Sequence, residues 1–335
     1  MLARYKTAAS ALDALPGLSS TRKLTPPSSA DVELELEQTR AHGARIIASC
    51  EDDYPPLLKA VSPPPPVITC LGRTSLAAKP TVALVGARNA SAAGRKIARD
   101  MAAELGQAGL TIVSGMARGI DGESHAASLR TGTVAVLGGA VDHIYPSQHD
   151  RLYAEIAAEG LIISECPFGY RAKARDFPRR NRLITGLSRG VVVIEAAERS
   201  GSLISARTAG EQGREVMAVP GSPLDPRSAG SNKLIRDGAQ LVRGSEDVLE
   251  ALSSLAFGRM SAPDMPLFET ETDDGRPPES QISLVQSALS PHPMSIDEIA
   301  RSVGIGAARC AAVLMELELA GEATTLPGGL ACIAV

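Results

Sequence analysis

The stretch TVALVGARNASAAGRKIARDMAAELGQAGLTIVSG, residues 81–115, decides the fold. It opens with a short apolar run rich in β-branched residues, breaks at Gly86, and closes with a second such run, LTIVS at 110–114. Between them, over 91–109, Ile97, Met101, Ala102 and Leu105 recur at helical spacing, and Gly109 supplies a stop. Strand, crossover helix and a second strand running the same way make the unit of a parallel sheet. Its strands read as unbroken apolar runs because helices bury them on both faces.

Working outward, the unit repeats. TVAVL (133–137), LIISE (161–165), VVVIE (191–195) and EVMAV (215–219) are further strands, and QLV (240–242) is a possible edge strand. Residues 79–252 are therefore expected to form one α/β domain, a doubly wound parallel sheet, with the ordinary strand order 3-2-1-4-5-6. Residues 1–78 read as a short helical region followed by an extended segment: LDALPGL, then DVELELEQTRAHGA (31–44), ARIIAS and the proline-rich SPPPPV (62–67). Residues 253–280, with four prolines and six acidic groups, read as a linker. Residues 281–335 give helix, helix, short turn, helix and a glycine-containing hairpin, the order of a winged helix-turn-helix.

Bulk properties exclude several classes. The 335 residues are 44% hydrophobic and only 3% aromatic, with no Trp, so each aromatic side chain is notable. No apolar run approaches the roughly 18 residues of a membrane span, and the N-terminus lacks a secretory h-region, which reads as a cytoplasmic chain with no membrane partner. Five scattered cysteines, without a C-x-x-C pair or clustering with the five histidines, suggest neither a metal site nor a disulfide framework. The net charge of −4 conceals an asymmetry: residues 171–189 hold seven basic groups against Asp176 alone. The winged-helix segment is acidic, its third helix offering Arg309 against Glu316 and Glu318. A phosphate-contacting surface should be basic, so partner contact or self-association suits that domain better than duplex DNA.

In a doubly wound sheet ligands bind beyond the carboxyl ends of the strands. The first loop there, VGARNASAAGRK, departs from G-x-G-x-x-G because Ala87, Arg88 and Asn89 follow Gly86; a guanidinium beside helix N-terminal amides suits phosphate. Strand LTIVS ends in Ser114 and Gly115 with no acid for a ribose hydroxyl, which speaks against a nicotinamide cofactor, and no other cofactor is indicated. In SGMARGIDGESHAAS (114–128), Asp121 and Glu123 are placed as helix caps. The segment DFPRRNRLITGLSRG (176–190) should start a helix near Pro178 with Leu183, Ile184 and Leu187 buried, leaving Arg179, Arg180, Asn181 and Arg182 about its first turn. Arginines there oppose the helix dipole unless an anion is bound; otherwise they are a solvated basic face. Phe177 beside them offers a platform for a base. The turn Ser200-Gly201-Ser202 after VVVIE presents amides and hydroxyls to phosphate.

Several blocks in order, VGARNASAAG, VSGMARGIDGESHAASL, VLGGAVDHIYPSQHDRLYAEI, ISECPFG, FPRRNRLITGLSRGVVVIEAAERSGSLISARTAGEQGREVMAVPG and NKLIRDGAQLV, resemble the DNA-processing family DprA, also called Smf, almost continuously from about 80 to 250. The resemblance implies an extended Rossmann-like domain and a homodimer that binds single-stranded DNA and helps load RecA during natural transformation. It also implies a sterile-alpha-motif-like N-terminal part, shortened here, and a C-terminal winged helix. On matching positions the pocket would use Arg88, Phe177, Arg180, Asn181, Arg182 and the Ser200–Ser202 turn. The family commonly has a lysine three residues before the Phe; Ala174 stands there, flanked by Lys173 and Arg175. The alternative is a nucleotide phosphoribohydrolase of the lysine-decarboxylase-like family, whose P-G-G-x-G-T-x-x-E motif carries a catalytic Glu; Ser205 occupies that position here.

Overall fold

The computed structural model describes residues 7–14, 26–260, 278–326 and 329–334. The chain divides into two compact units, 1–261 and 262–335. In the first, helices α1 (Ala8–Ala14) and α2 (Ser29–Ala41) precede strand β1 (Ala44–Ala48), the short helix α3 (Pro56–Lys59) and strand β2 (Val67–Gly72). The repeat then runs β3 (Thr81–Gly86), α4 (Ala92–Gln107), β4 (Thr111–Ser114), α5 (Ile120–Ser128), β5 (Thr133–Val136), α6 (Asp150–Glu159), β6 (Leu161–Ser164) and α7 (Asp176–Gly186). It ends with β7 (Gly190–Ile194), α8 (Gly201–Glu211), β8 (Glu215–Ala218), α9 (Ala229–Arg236), β9 (Gln240–Leu241) and α10 (Ser245–Met260).

These strands form one nine-stranded sheet in the order β1-β2-β6-β5-β4-β3-β7-β8-β9. From β6 to β9 every neighbouring pair is parallel, whereas β1–β2 and β2–β6 are antiparallel. The expected order 3-2-1-4-5-6 is corrected. Counted from the first strand of the repeat it is 4-3-2-1-5-6-7, because β6 pairs outward with β5 and β2, so β7 is the strand that lies beside β3. The connection from β6 to β7 must cross back over the sheet, and α7 is the helix in that crossover. Segments 44–48 and 67–72, read as part of a separate lead-in, instead extend the sheet at its edge.

Alternation along each strand feeds two cores. Ala83, Val85, Val191 and Val193 face Leu183, Ile184 and Leu187 of α7 and Ala206 and Ala209 of α8. Val82, Leu84, Val192 and Ile194 face Ala98, Met101, Ala102 and Leu105 of α4, with Val248 of α10. Period-two side chains on a sheet covered on both faces require this division. Helix α10 runs to Met260, into the stretch read as a linker; residues 261–277 of that stretch, and 15–18 of LDALPGL, lie outside the described residues.

The second unit comprises α11 (Glu279–Ala288), β10 (Met294–Ser295), α12 (Ile296–Val303), α13 (Ala307–Leu319), β11 (Ala323–Leu326) and β12 (Leu330–Ile333). Its three-stranded sheet has the order β10-β12-β11, and Val285, Ile299, Val313, Leu314 and Leu317 pack its core. Ser295 caps α12 by accepting from the Glu298 amide, and Gly304 ends that helix at φ 69°. This is the winged helix expected from sequence. Among the described residues no helix is long and apolar enough to cross a membrane.

Candidate nucleic-acid interface

A cavity of about 870 Å³ opens at the carboxyl ends of β3 and β7, where the strand order reverses, between α7 and α8. Gly86 ends β3 there, and only glycine fits, since a Cβ would lie 1.9 Å from the Ile194 carbonyl oxygen. Arg88 and Asn89 follow as exposed residues of the cavity wall. The helix terminus behind them is already occupied. Ser91 caps α4 by accepting from the Gly94 amide at 2.9 Å, and the Glu195 carboxylate accepts from the Ser91 amide at 2.8 Å and from its hydroxyl. Glu195, just past β7, has φ 53°, and a Cβ on Gly94 would lie 2.5 Å from its carboxyl carbon. An internal anion therefore sits where the helix dipole favours one. The α4 terminus, expected to act beside Arg88, is thus taken up by Ser91 and Glu195 while Arg88 stays exposed.

Helix α7 starts at Asp176, two residues before the expected Pro178. The Asp176 carboxylate accepts from the Lys173 amide at 2.8 Å and the Tyr170 hydroxyl at 2.9 Å; the amide bond foremost holds its pKa below the usual carboxylate value. The arginines that follow take two directions. Arg180 turns inward, 7% exposed, and donates to the carbonyls of Gly115, at 2.6 Å, and Val136. It thus joins the loop after β4 to the end of β5 beneath the cavity. A Cβ on Gly115 would lie 2.7 Å from the guanidinium, so the close approach requires glycine. The neighbouring Asp121 accepts from the Gly115 and Ala117 amides, both at 3.2 Å. Burial raises its pKa against the opposing pull of Arg180, and burial lowers Arg180 to about 10, still cationic at neutral pH. Arg182 is paired with Glu165, and Arg179 Nε lies 3.9 Å from the same carboxylate.

Phe177, half-buried, lies in the same first turn of α7. Its ring leans on the backbone of Gly138, where a Cβ would lie 3.2 Å from Cδ1. The Arg88 guanidinium carbon stands 5.5 Å from the ring centroid, a cation–π arrangement, and the Tyr145 ring is 5.2 Å away at 42°. Opposite, Ser200 caps α8 by accepting from the Ser202 amide at 3.3 Å, and the two hydroxyls are 2.7 Å apart. Asn181 donates to the Gly201 carbonyl at 3.3 Å, which fixes α7 against the start of α8.

The fold thus brings Gly86, Arg88, Asn89, Phe177, Arg180, Asn181, Ser200, Gly201 and Ser202 around one cavity. It does not bring Lys173, Arg175, Arg179 or Arg182 to that wall. Ala172 and Ala174 line it instead, Lys173 and Arg175 are exposed before α7, and Glu165 draws the other two towards itself. Sequence reasoning missed Tyr145, Arg199 and Arg227, which also line it. Arg199 precedes the Ser200 turn and Arg227 lies in the loop after β8, the neighbour of β7, so both follow from strand adjacency once the order is known. Arg227 is held by Asp225 through contacts of 2.9 and 3.0 Å, whereas Arg199 is exposed to solvent. Four arginines against the single carboxylate of Asp121 make the wall cationic. Among the described residues no cluster of metal-ligating side chains occurs.

Guanidinium groups, serine hydroxyls and a half-buried aromatic ring lining a cavity at the switch point of a parallel sheet define a Rossmann-like protein suited to a ligand both anionic and aromatic. The chain belongs to the family of DNA recombination-mediator protein A, which residues 45–253 match; residues 269–329 match the DprA winged helix domain. It is 39% identical to protein Smf of Escherichia coli over 301 residues, covering 88% of this chain and 78% of that one. With DNA processing protein DprA of Bacillus subtilis it shares 42% identity over 220 residues, 65% of this chain and 74% of the relative. Among solved structures, DNA processing protein A of Streptococcus pneumoniae superposes with a TM-score of 0.63 at 38% identity, covering 67% of this chain and 78% of that one. The Helicobacter pylori protein, described for its single-stranded DNA binding mode, gives 0.58 at 29% identity, covering 64% and 96%.

Proposed function

We propose that this protein binds single-stranded DNA in the cavity between β3 and β7, without catalysis, protecting incoming strands and handing them to RecA during transformation and recombination. It would act as a cytoplasmic homodimer. The observation that carries the reading is Phe177 presented to the cavity beneath the Arg88 guanidinium. An aromatic face stacks a base of any identity, and the adjacent cation takes the phosphate that follows. Unpaired bases can reach such a ring, whereas in a duplex they are stacked on one another and only phosphates are offered. The DNA-processing relatives, and the single-stranded DNA binding described for the Helicobacter pylori protein, support the same assignment.

Arg88 and Arg199 are the phosphate contacts in this arrangement, with the Ser200 and Ser202 hydroxyls as further donors. Arg180 supports the floor and Arg182 holds Glu165, so the basic helix contributes mainly through its aromatic residue and Asn181. Ser205, where the phosphoribohydrolase motif has its Glu, is buried and carries no carboxylate. Anisotropy titrations of labelled single-stranded and duplex oligonucleotides test the assignment. Wild type should prefer the single strand, and Arg88→Ala should lose most of that affinity. Equal affinity for both forms, indifferent to the substitution, would overturn it.

A further inference from the structure

Helix α2 adds little to the core, since Thr39 is its one buried residue. What it does hold is a loop. The segment 165–175, which leads from β6 into α7, has no helix or strand of its own and is tied down by bonds to the elements around it. One tie comes from α2. The Phe168 amide donates to Glu35 Oε1 at 3.2 Å, and the Phe168 ring meets the His42 ring edge-on, with centroids 5.6 Å apart and planes at 71°. Both partners are fixed in place. Ser28 closes a capping box with Asp31 at the start of the helix. His42 stands at the other end, next to Gly43 at φ 80° and to β1, which pairs with β2 in the sheet.

The tied segment forms one rim of the cavity. Beyond Phe168, the Gly169 amide donates to Asp142 Oδ1 at 2.9 Å, and the Tyr170 carbonyl accepts from the Ala140 amide at 2.9 Å. The chain then passes close over Gly139, where a Cβ would lie 3.0 Å from the Ala172 nitrogen. Ala172 and Ala174 line the cavity, while Arg171, Lys173 and Arg175, beside and between them, are exposed. This arch thus carries cations to the edge of the site with no regular element to place them. Where they stand depends on the bonds made at 168–170.

We propose that Glu35 and His42 are positioning residues for DNA binding: acting through Phe168, they hold the 171–175 arch so that its cations meet the phosphates of the strand where it leaves the cavity. The proposal rests on the single-stranded DNA reading above. Without the tie the arch samples further arrangements, and the apparent affinity falls in proportion to the population of the competent one.

Anisotropy titrations with oligodeoxythymidylate, hydrogen exchange of the 165–175 segment and melting curves test it together. Glu35→Ala and His42→Ala should each bind about fivefold more weakly, with faster exchange in that segment. Their Tm should match wild type, because these side chains are outside the core and alanine favours the helix. Glu35→Gln keeps an acceptor for the Phe168 amide and should bind like wild type. With Arg171, Lys173 and Arg175 all replaced by alanine, the Glu35→Ala penalty should vanish, since nothing is left to position. The same penalty in both backgrounds, a penalty accompanied by early melting, or affinity and exchange equal to wild type would overturn the proposal and leave the DNA site standing. If wild type itself does not bind the single strand, the DNA reading has failed and the proposal falls with it.

Discussion

Replacing Arg180 by alanine should damage the fold before it damages any ligand contact. The side chain is 7% exposed and its guanidinium serves the carbonyls of Gly115 and Val136, on the segments that follow β4 and end β5. A hydrogen bond from a charged donor contributes about 1.5–3 kcal/mol, and two are lost together with the cation that offsets the buried Asp121. A destabilisation of about 4 kcal/mol follows, less if water fills the space left and serves the two carbonyls. For a body of this size that lowers Tm by about 10 °C. The assay is differential scanning calorimetry of wild type, Arg180→Ala and Arg88→Ala, paired with single-strand titrations of each. Arg88→Ala should melt like wild type and bind poorly, whereas Arg180→Ala should melt early. An Arg180→Ala protein that melts with wild type yet no longer binds DNA would refute the structural assignment and make Arg180 a direct phosphate contact.

Other expectations are simpler to state. Removing the Arg88 phosphate contact should reduce the slope of log affinity against log salt by about 0.7, read from titrations at several salt concentrations; an unchanged slope would place Arg88 off the phosphate path. His125 is buried, and burial first, then the nearby His149, lowers its pKa from 6.5 to about 3. The unfolded chain takes up that proton on acidification and the folded chain does not, so this contribution to stability is present above about pH 6.5 and is lost as pH falls towards 3, by up to about 1.4 kcal/mol per pH unit. Urea midpoints at about pH 7 and 5.5 should show the drop, and His125→Asn should flatten it. Gly94→Ala should push Glu195 off the α4 terminus, since its Cβ would lie 2.5 Å from the Glu195 carboxyl carbon; a lower Tm with single-strand binding retained is expected from melting curves.

Much of the site was legible because its determinants are local. Gly86 and the Ser200–Ser202 turn follow strands, so their location at the carboxyl edge needs only the strand assignments. The composition of 171–189 announced a cationic element, and Phe177 beside it announced a ring. Which arginines line the cavity was not local. Arg179, Arg180 and Arg182 lie within four positions; a helix turns each residue by about 100° from the next, so Arg179 and Arg182, three apart, share the face towards Glu165 while Arg180 between them turns to the interior. Their fates depend on Glu165, after β6, and on the Gly115 and Val136 carbonyls, none of which is near them in sequence.

The sequence by itself determined the α/β class, the positions of the repeat strands, the winged helix and the edge of the sheet where a ligand must bind. Periodicity and turn chemistry are properties of consecutive residues, and they survive without knowledge of the partners. Only the tertiary structure decided the strand order, the attachment of β1 and β2, the closure of the α4 terminus by Glu195 and the meeting of Tyr145 with Phe177. Each of these is a pairing between segments far apart in the chain, fixed by which strand edge is free, which buried charge needs a partner and which ring finds an open face. One-dimensional patterns carry no term for such choices.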